Sequence, residues 1–234
     1  GGAITAANLF LDTDGVLTLT GANSISGYTS LAAQDATFNA VGDLNIRVNT
    51  TGSATIASTG AVVIDGGGVS TGDTLNIHAV NGISQGAGGL NFVNFGNLTN
   101  TTSGGISLTN SSWLNLSGAI SAGGQGVTLN VANGGIIQNG GSNINARRLS
   151  VTTTQGAIIG EMNQVAELGV INVGAHNFSF RTLGDLLIDG DITSALNVML
   201  TSATGGVTQT TGSDITAGGL NVWAETGINL TNTG

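Results

Sequence analysis

Two aspartates that closely follow a histidine and an arginine are the residues of this chain best suited to chemistry. Asp189 and Asp191 are two residues apart, so in a strand their side chains share one face, and His176 and Arg181 lie shortly before them. Glycoside cleavage requires a pair of carboxylates that flank the scissile bond. One hypothesis is therefore a polysaccharide-acting enzyme, a lyase or a hydrolase, whose groove gathers these four side chains.

A second copy of the same segment weakens this hypothesis. Residues 114–121 and 187–193 share one pattern, and Ser117 and Ala119 stand in the first copy where the second has its aspartates. Aspartates at the solvated corners of a repeat explain the pattern without catalysis, and perturbed carboxylates also occur in purely structural settings. We therefore expect the chain not to be an enzyme.

A short acidic turn near the start of the chain raises a second kind of chemistry. Asp12-Thr13-Asp14-Gly15 resembles the opening of a calcium loop, in which carboxylates alternate before a turn glycine. The closing bidentate glutamate of such a loop is missing here. An ordinary aspartate-capped turn is the alternative, so calcium at Asp12 and Asp14 is a weak candidate and no other cofactor is indicated.

Aromatic and threonine residues suggest two further surfaces. Trp113 and Trp223 could stack on sugar rings, although aromatic side chains mostly serve packing, and Trp223 should point outward because it follows the inward Val222. Threonine pairs such as Thr18 and Thr20 raise the possibility of an ice-binding solenoid, which needs one flat face of aligned threonines. The pairs fall at different points of the repeat, so β-propensity explains them better.

A repeated phrase of leucine, asparagine and an aliphatic residue must position all of these side chains. The two apolar residues are two apart and share a face, so they fill a narrow interior, whereas the asparagines face outward and are expected to stack into a ladder. Gly118 and Gly190 are expected at corners, where glycine can adopt a positive φ. The inward positions are Leu44 and Ile46, Leu75 and Ile77, Leu129 and Val131, Leu196 and Val198, and Leu220 and Val222.

The length of this repeat predicts a solenoid. Successive copies begin at Leu129 and Leu149 in one part of the chain and at Leu196 and Leu220 in another, and these spacings give the length of one coil. We predict an all-β parallel β-helix, or β-solenoid, of roughly ten coils of about 20–24 residues, about 50 Å long at a spacing of about 4.8 Å per coil. Residues 1–234 then form one continuous repeat segment.

One stretch breaks the pattern of the repeat. Residues 161–168 contain no glycine and have the composition of a helix. We expect an irregular loop or a single helical turn beside the rod at 161–169.

Composition excludes several classes of partner and site. The chain has 4 arginines, no lysine and a formal net charge of −9, whereas nucleic-acid binding needs clustered cations. With no cysteine, it has no disulfide scaffold, catalytic thiol or thiolate metal site. No run of about 18 apolar residues and no signal peptide is present, so no transmembrane segment is predicted. Because the chain begins at glycine and ends within the pattern, we expect a piece of a longer protein.

The repeats resemble those of filamentous-haemagglutinin-like exoproteins, the large adhesins exported by two-partner secretion. The resemblance is carried by Ile-Thr-Ala-Gly-Gly-Leu-Asn-Val at 215–222, by the Gly-Ile-x-Gln turns at 82–85 and 135–138, and by 163–169, Asn-Gln-Val-Ala-Glu-Leu-Gly. Such units cover most of the chain. The resemblance implies that the β-helix is right-handed and that the protein serves in adhesion, aggregation and biofilm.

Together these features predict a structural and interaction module of a secreted or cell-surface bacterial adhesin or extracellular fibre. Stacked coils give a stiff rod, and repeated outer positions offer many weak contacts. The expected partners are further copies of the chain or neighbouring repeats joined end to end, and host or matrix glycans or surface proteins. The expected location is extracellular or at the outer cell surface.

Overall fold

The computed structural model describes residues 2–65, 70–71, 74–85 and 94–231, and within these residues all regular structure is β-strand. The predicted all-β class is therefore confirmed. The strands are β1 Thr5–Ala6, β2 Leu9–Asp12, β3 Val16–Ile25, β4 Tyr28–Ala33, β5 Asp35–Ala40, β6 Leu44–Thr50, β7 Ala54–Ser58, β8 Val62–Ile64, β9 Ser70–Thr71, β10 Thr74–Ala79, β11 Ile83–Gln85, β12 Asn94–Asn100, β13 Ile106–Asn110, β14 Leu114–Leu116, β15 Ala119–Ser121, β16 Gly126–Val131, β17 Ile136–Gln138, β18 Asn143–Thr153, β19 Ala157–Asn172, β20 Phe178–Thr182, β21 Leu186–Ile188, β22 Ile192–Ser202, β23 Gly206–Gln209, β24 Ile215–Ala224 and β25 Gly227–Asn229.

The strands pair in parallel with strands of the coils before and after them, so the described chain is a parallel β-solenoid of about ten turns. The coils differ in length, since Tyr28 pairs with Asn45 in a short coil and Ala119 pairs with Asn143 in a long one. The predicted fold is confirmed, although the shortest coils fall below the predicted length.

The interior is a continuous ladder of aliphatic side chains along the rod. One position of the coil is apolar and at most 2% exposed in eight successive coils, because each strand places alternate residues inward. Burial of this kind is the main favourable term in folding. The ladder is formed by Leu44, Val62, Ile83, Ile106, Val127, Leu149, Leu168 and Ile188.

Most of the predicted inward positions are buried. Their exposed fractions do not exceed 2% at Leu44, Ile46, Leu75, Ile77, Leu129, Val131 and Val198. Leu196 was predicted inward wrongly: it is 47% exposed, because the register of β22 with β24 shifts between Ser194 and Asn197. Leu220 is 45% exposed and Val222 is only partly buried. The reason is that β24 pairs with β22 on one side, whereas no described strand covers its other side.

The predicted asparagine ladder does not form in the coils around Asn130. Asn130 faces outward as expected, but its neighbours in the adjacent coils are Thr109 and Thr152. The reason is that the repeated phrase falls at different points of successive coils, so equivalent asparagines seldom meet. The outer rows are therefore mixed in composition.

Gly118 and Gly190 are needed for a reason other than the predicted positive φ. Neither has a φ in the left-handed region. A Cβ on Gly118 would lie 2.2 Å from the carbonyl oxygen of Gly96, and one on Gly190 would lie 2.5 Å from the carbonyl carbon of Gly169. Glycines of successive coils thus stack where the two backbones approach too closely for a side chain.

Residues 161–169 are not the predicted loop or helical turn. They lie within β19, whose 16 residues extend from Ala157 to Asn172. The pairing of β19 with β20 shifts register between Ile159 and Asn163, so the departure from the repeat is a bulge inside a strand. Pairing with β18 and β20 on either side overrides the helical composition of this stretch.

Candidate functional site

The structure does not gather the four residues of the hydrolase hypothesis. Asp189 and Asp191 both face outward on either side of the buried Gly190, just after β21. Arg181 is an exposed residue of β20. The strand β20 pairs with the beginning of β19 and with β22, whereas β21 pairs with the end of β19 and with β23. His176 lies in the turn before β20 and lines a separate groove that also includes Trp113. The predicted pairing of these side chains in one groove is not observed.

Asp189 belongs instead to an ion-pair network that crosses three coils. Arg147 donates to both carboxylate oxygens of Glu167 at 3.0 Å. Arg148 contacts Asp189 two coils away, and its Nη1 lies 4.0 Å from Glu167. Gly169 allows this reach, because a Cβ there would lie 2.6 Å from the Nε of Arg148. The carboxylate of Asp189 is thus paired with the Arg148 guanidinium and links two coils of the solenoid.

Several aspartates cap the turn of the following coil. The carboxylate oxygen of Asp191 accepts the N–H of Asp214 at 3.0 Å, and that of Asp185 accepts the N–H of Gly206 at 2.7 Å. Asp43 does the same for Ala61 at 2.8 Å. A short polar side chain that satisfies a free backbone N–H is a common turn device. These contacts agree with the alternative that the aspartates at the corners of the repeat have a structural role.

Among the described residues, no further acidic or histidine ligand joins Asp12 and Asp14, the calcium candidates. Asp12 and Asp14 are both exposed, and the turn between them is held by Thr13, whose hydroxyl accepts the N–H of Gly15 at 3.2 Å. No group of three or more His, Asp or Glu side chains that could hold a metal ion occurs among the residues that the structure describes. A calcium loop needs more oxygen ligands than two exposed carboxylates supply.

Trp113 and His176 share a groove on the outer surface of the rod, which sequence reasoning missed. Its volume is about 160 Å³, and Ile137 and Ile158 form much of its apolar lining. Trp223 points outward, as predicted, and is 49% exposed on β24. The sequence signals this groove only through Gly135 before β17 and Gly156 before β19, two strands that stack on each other. The lengths of the coils decide which other residues become neighbours, and a local pattern does not show this.

A second cluster that sequence reasoning missed surrounds Tyr28. Its ring packs on the exposed Phe10, with the two centroids 6.1 Å apart. Burial raises the pKa of the Tyr28 phenol above its usual value, and the charge and hydrogen bond of Asp65 raise it further, against the opposing effect of Arg47. The cluster places aromatic and charged groups of four coils side by side.

A wider and shallower groove follows another corner of the rod. It has a volume of about 510 Å³ and is lined by Val165, Ala166, Leu183 and Asp185, among others. Its charged residue, Asp185, already accepts the N–H of Gly206. We assign no chemistry to this groove.

The described part of the chain contains no helix long and apolar enough to cross a membrane. Comparison with known proteins gives no match: no family model, no curated protein and no solved structure is significantly similar to the chain.

Proposed function

We propose that this chain is a structural and interaction module of a secreted or cell-surface bacterial adhesin or extracellular fibre. It acts as a stiff rod that mediates adhesion, aggregation or biofilm formation. The proposal includes the right-handed winding and the kinship to filamentous-haemagglutinin-like exoproteins that the repeats suggest.

The continuous parallel stack is the observation that carries this proposal. Backbone hydrogen bonds join each described coil to the next, and the interior position that extends from Leu44 to Ile188 is aliphatic in eight successive coils. Such a quasi-one-dimensional fold holds its outer side chains at a regular spacing of about 4.8 Å. Many weak contacts on one rigid rod give avidity that no single contact has.

The proposed end-to-end partners fit the outermost described coils. Leu17 and Leu19 of β3 and Val222 of β24 point toward the interior but are only partly buried. Partly exposed apolar side chains and unpaired strand edges favour pairing with another strand. We propose that further coils, from neighbouring repeats or from another copy, stack on these surfaces.

The sparse charges also support a binding rod over a polysaccharide-cleaving enzyme. Asp189 is paired with Arg148, Asp191 caps the next coil, and neither carboxylate forms an ion pair with Arg181 within the described residues. No observation in the described residues favours the enzyme or the ice-binding alternative.

Bead adhesion tests the proposal. Polystyrene beads carrying the purified chain should clump, or be retained on epithelial cells or on biofilm matrix, well above beads that carry the same amount of Ile188→Asp. That variant places a charge in the buried ladder and should not form the rod. Electron microscopy of the same material should show rods with an axial repeat of about 4.8 Å.

Two results would contradict the proposal. One is that beads with the correctly folded chain neither clump nor adhere more than the Ile188→Asp beads. The other is release of new reducing ends from a polysaccharide by the chain, abolished in Asp189→Ala, which would return weight to the enzyme.

A further inference from the structure

Trp113 and His176 form the two ends of a groove that crosses successive coils. Trp113 precedes β14, Gly135 precedes β17, Gly156 precedes β19 and Asn177 precedes β20, and these strands stack in register. The four residues therefore occupy one column along the rod, with His176 beside its last member. Two glycines in the middle of the column leave a depression between the larger side chains.

The two glycines make room for the side chains at the two ends of the column. A Cβ on Gly135 would lie 2.9 Å from Cζ3 of Trp113 and 2.7 Å from the carbonyl oxygen of Gly156. A Cβ on Gly156, whose φ is +87°, would lie 3.1 Å from the Cβ of His176. Neither position accommodates a side chain, and Gly156 itself is one of the residues that line the groove.

The groove combines an apolar surface with a polar rim. Ile137 and Ile158 are 36% and 56% exposed at its side, and Trp113 is 38% exposed at its end. Gln155 and His176 contribute polar groups, and none of the described residues that line it is Asp, Glu, Arg or Lys. Its volume of about 160 Å³ is below the 300–1,000 Å³ typical of drug-sized ligands, so the groove suits a single small ring.

The polar groups at this rim are available to a ligand. Within the described residues, no hydrogen bond engages the indole N–H of Trp113, the imidazole of His176 or the side-chain amide of Gln155. A small number of polar groups around an apolar surface is the usual composition of a binding pocket.

We propose that this groove binds one neutral hexopyranose ring of a glycan, with the apolar C–H face of the sugar against the Trp113 indole. The hydroxyl groups at the edge of the sugar then bond to Gln155, His176 and the indole N–H. A purely aliphatic ligand would leave these polar groups unused, and a charged one would find no counter-ion. The inference rests on the proposed function, because it names a ligand class for the adhesive rod.

Tryptophan fluorescence tests the proposal in the whole chain. The chain has two tryptophans, so Trp223→Phe leaves Trp113 as the only tryptophan, whose emission is excited selectively at wavelengths that tyrosine does not absorb. Methyl glycosides of glucose, galactose, mannose and N-acetylglucosamine are the probes. At least one should change the emission saturably, with a dissociation constant on the order of 1 mM, as expected for a ligand of few heavy atoms.

Variants then locate the binding by calorimetry. Trp113→Ala should weaken binding at least tenfold, and Gln155→Ala and His176→Ala several-fold, whereas Trp223→Ala should leave it unchanged. In case Trp113→Ala does not fold, Ile158→Glu places a charge at an exposed position of the groove and should also abolish binding. Val170→Glu, at a similarly exposed position of β19, is its matched control.

Binding that survives Trp113→Ala or Ile158→Glu in a folded chain would overturn the proposal, as would the absence of binding to all of the glycosides. Bead adhesion separates the two proposals. Failure of the glycan site with normal clumping and retention of beads leaves the adhesive rod intact, whereas failure of adhesion by the unaltered chain defeats the proposed function itself.

Discussion

Asn23 and Asn163 occupy equivalent places in two distant coils and make the same hydrogen-bond contacts with the backbone. Each side-chain oxygen accepts the N–H of an isoleucine of the preceding coil, Ile4 at 3.0 Å and Ile144 at 2.8 Å. Each side-chain nitrogen shares its two hydrogens among backbone carbonyls four and two residues back and one carbonyl of the following coil, which lie at 2.8 to 3.3 Å. Both residues are fully buried at a shift of register. A buried asparagine thus stabilises the bulge in β3 and the bulge in β19.

Asn163→Ala should destabilise the chain by about 3 kcal/mol, because it leaves several buried backbone groups without a partner. The variant also breaks the reciprocal amide pair with Gln138, whose bonds measure 2.8 and 3.1 Å. Chemical denaturation checks the free energy of unfolding. Asn145→Ala, at an exposed position of the neighbouring strand, is the control and should change stability by less than about 0.5 kcal/mol. Equal effects of the two variants would contradict a special role for the buried amide.

Gly190→Ala and Gly118→Ala should each cost about 1–3 kcal/mol, since the added Cβ overlaps the backbone of the preceding coil. Gly140→Ala is the matched control: a Cβ there meets no atom within 4 Å, and the variant should be neutral or slightly stabilising. Thermal and urea unfolding of the three variants measure the difference. If Gly140→Ala destabilises as much as Gly190→Ala, close stacking of the coils is not the cause.

Arg148→Ala should cost about 1 kcal/mol, and Arg147→Ala less than about 0.5 kcal/mol. Arg148 is the more buried of the two and contacts carboxylates in both following coils, whereas the Arg147 side chain is 59% exposed. Unfolding at low salt and in 1 M NaCl measures both effects, and salt should reduce the difference by screening. A larger loss for Arg147→Ala would show that the network does not depend on the bridge to Asp189.

Tyr28 should titrate above its usual pKa of about 10 in the folded chain. It is the only tyrosine, so the ultraviolet absorbance of tyrosinate reports this one phenol. Asp65→Asn removes a neighbouring negative charge and should lower the pKa toward the usual value, as should unfolding in urea.

The same shift gives a sign for stability at alkaline pH. The folded chain holds the Tyr28 proton to higher pH than the unfolded chain does, so the free energy of unfolding should fall as pH rises from about 10 toward the folded pKa. Tyr28→Phe should remove this part of the decline. A folded pKa at or below 10 would contradict both expectations.

The repeated phrase was sufficient to predict a parallel solenoid and most of its interior. Leu75 and Ile77, or Leu129 and Val131, are buried as predicted, because alternation along a strand is a local property of the backbone. Leu196 shows where the rule fails. Its phrase is intact, but a register shift in β22 turns the side chain outward, and such a shift depends on the pairing with β24.

The local sequence also led to a wrong prediction of the structure of residues 161–169 and of the reason for glycine at positions 118 and 190. The segment has helical composition, yet pairing with β18 and β20 makes it a strand, and its bulge is held by the amide of Asn163. The glycines were expected for their dihedral freedom, whereas the close approach of Gly169 to Gly190 explains the need at that corner. Both features arise from contacts between coils.

The sequence by itself determined which side chains of most strands face the interior, because that depends on alternate residues of one strand. Only the tertiary structure decided which outward side chains become neighbours, such as Arg148 and Asp189 in one ion pair, and Trp113 and His176 at the two ends of one groove. Coils of unequal length accumulate offsets along the chain, and their turns and bulges are fixed by the stack as a whole. The summed lengths of several coils therefore determine which residues are neighbours on the outer surface. A short stretch of sequence does not contain this information.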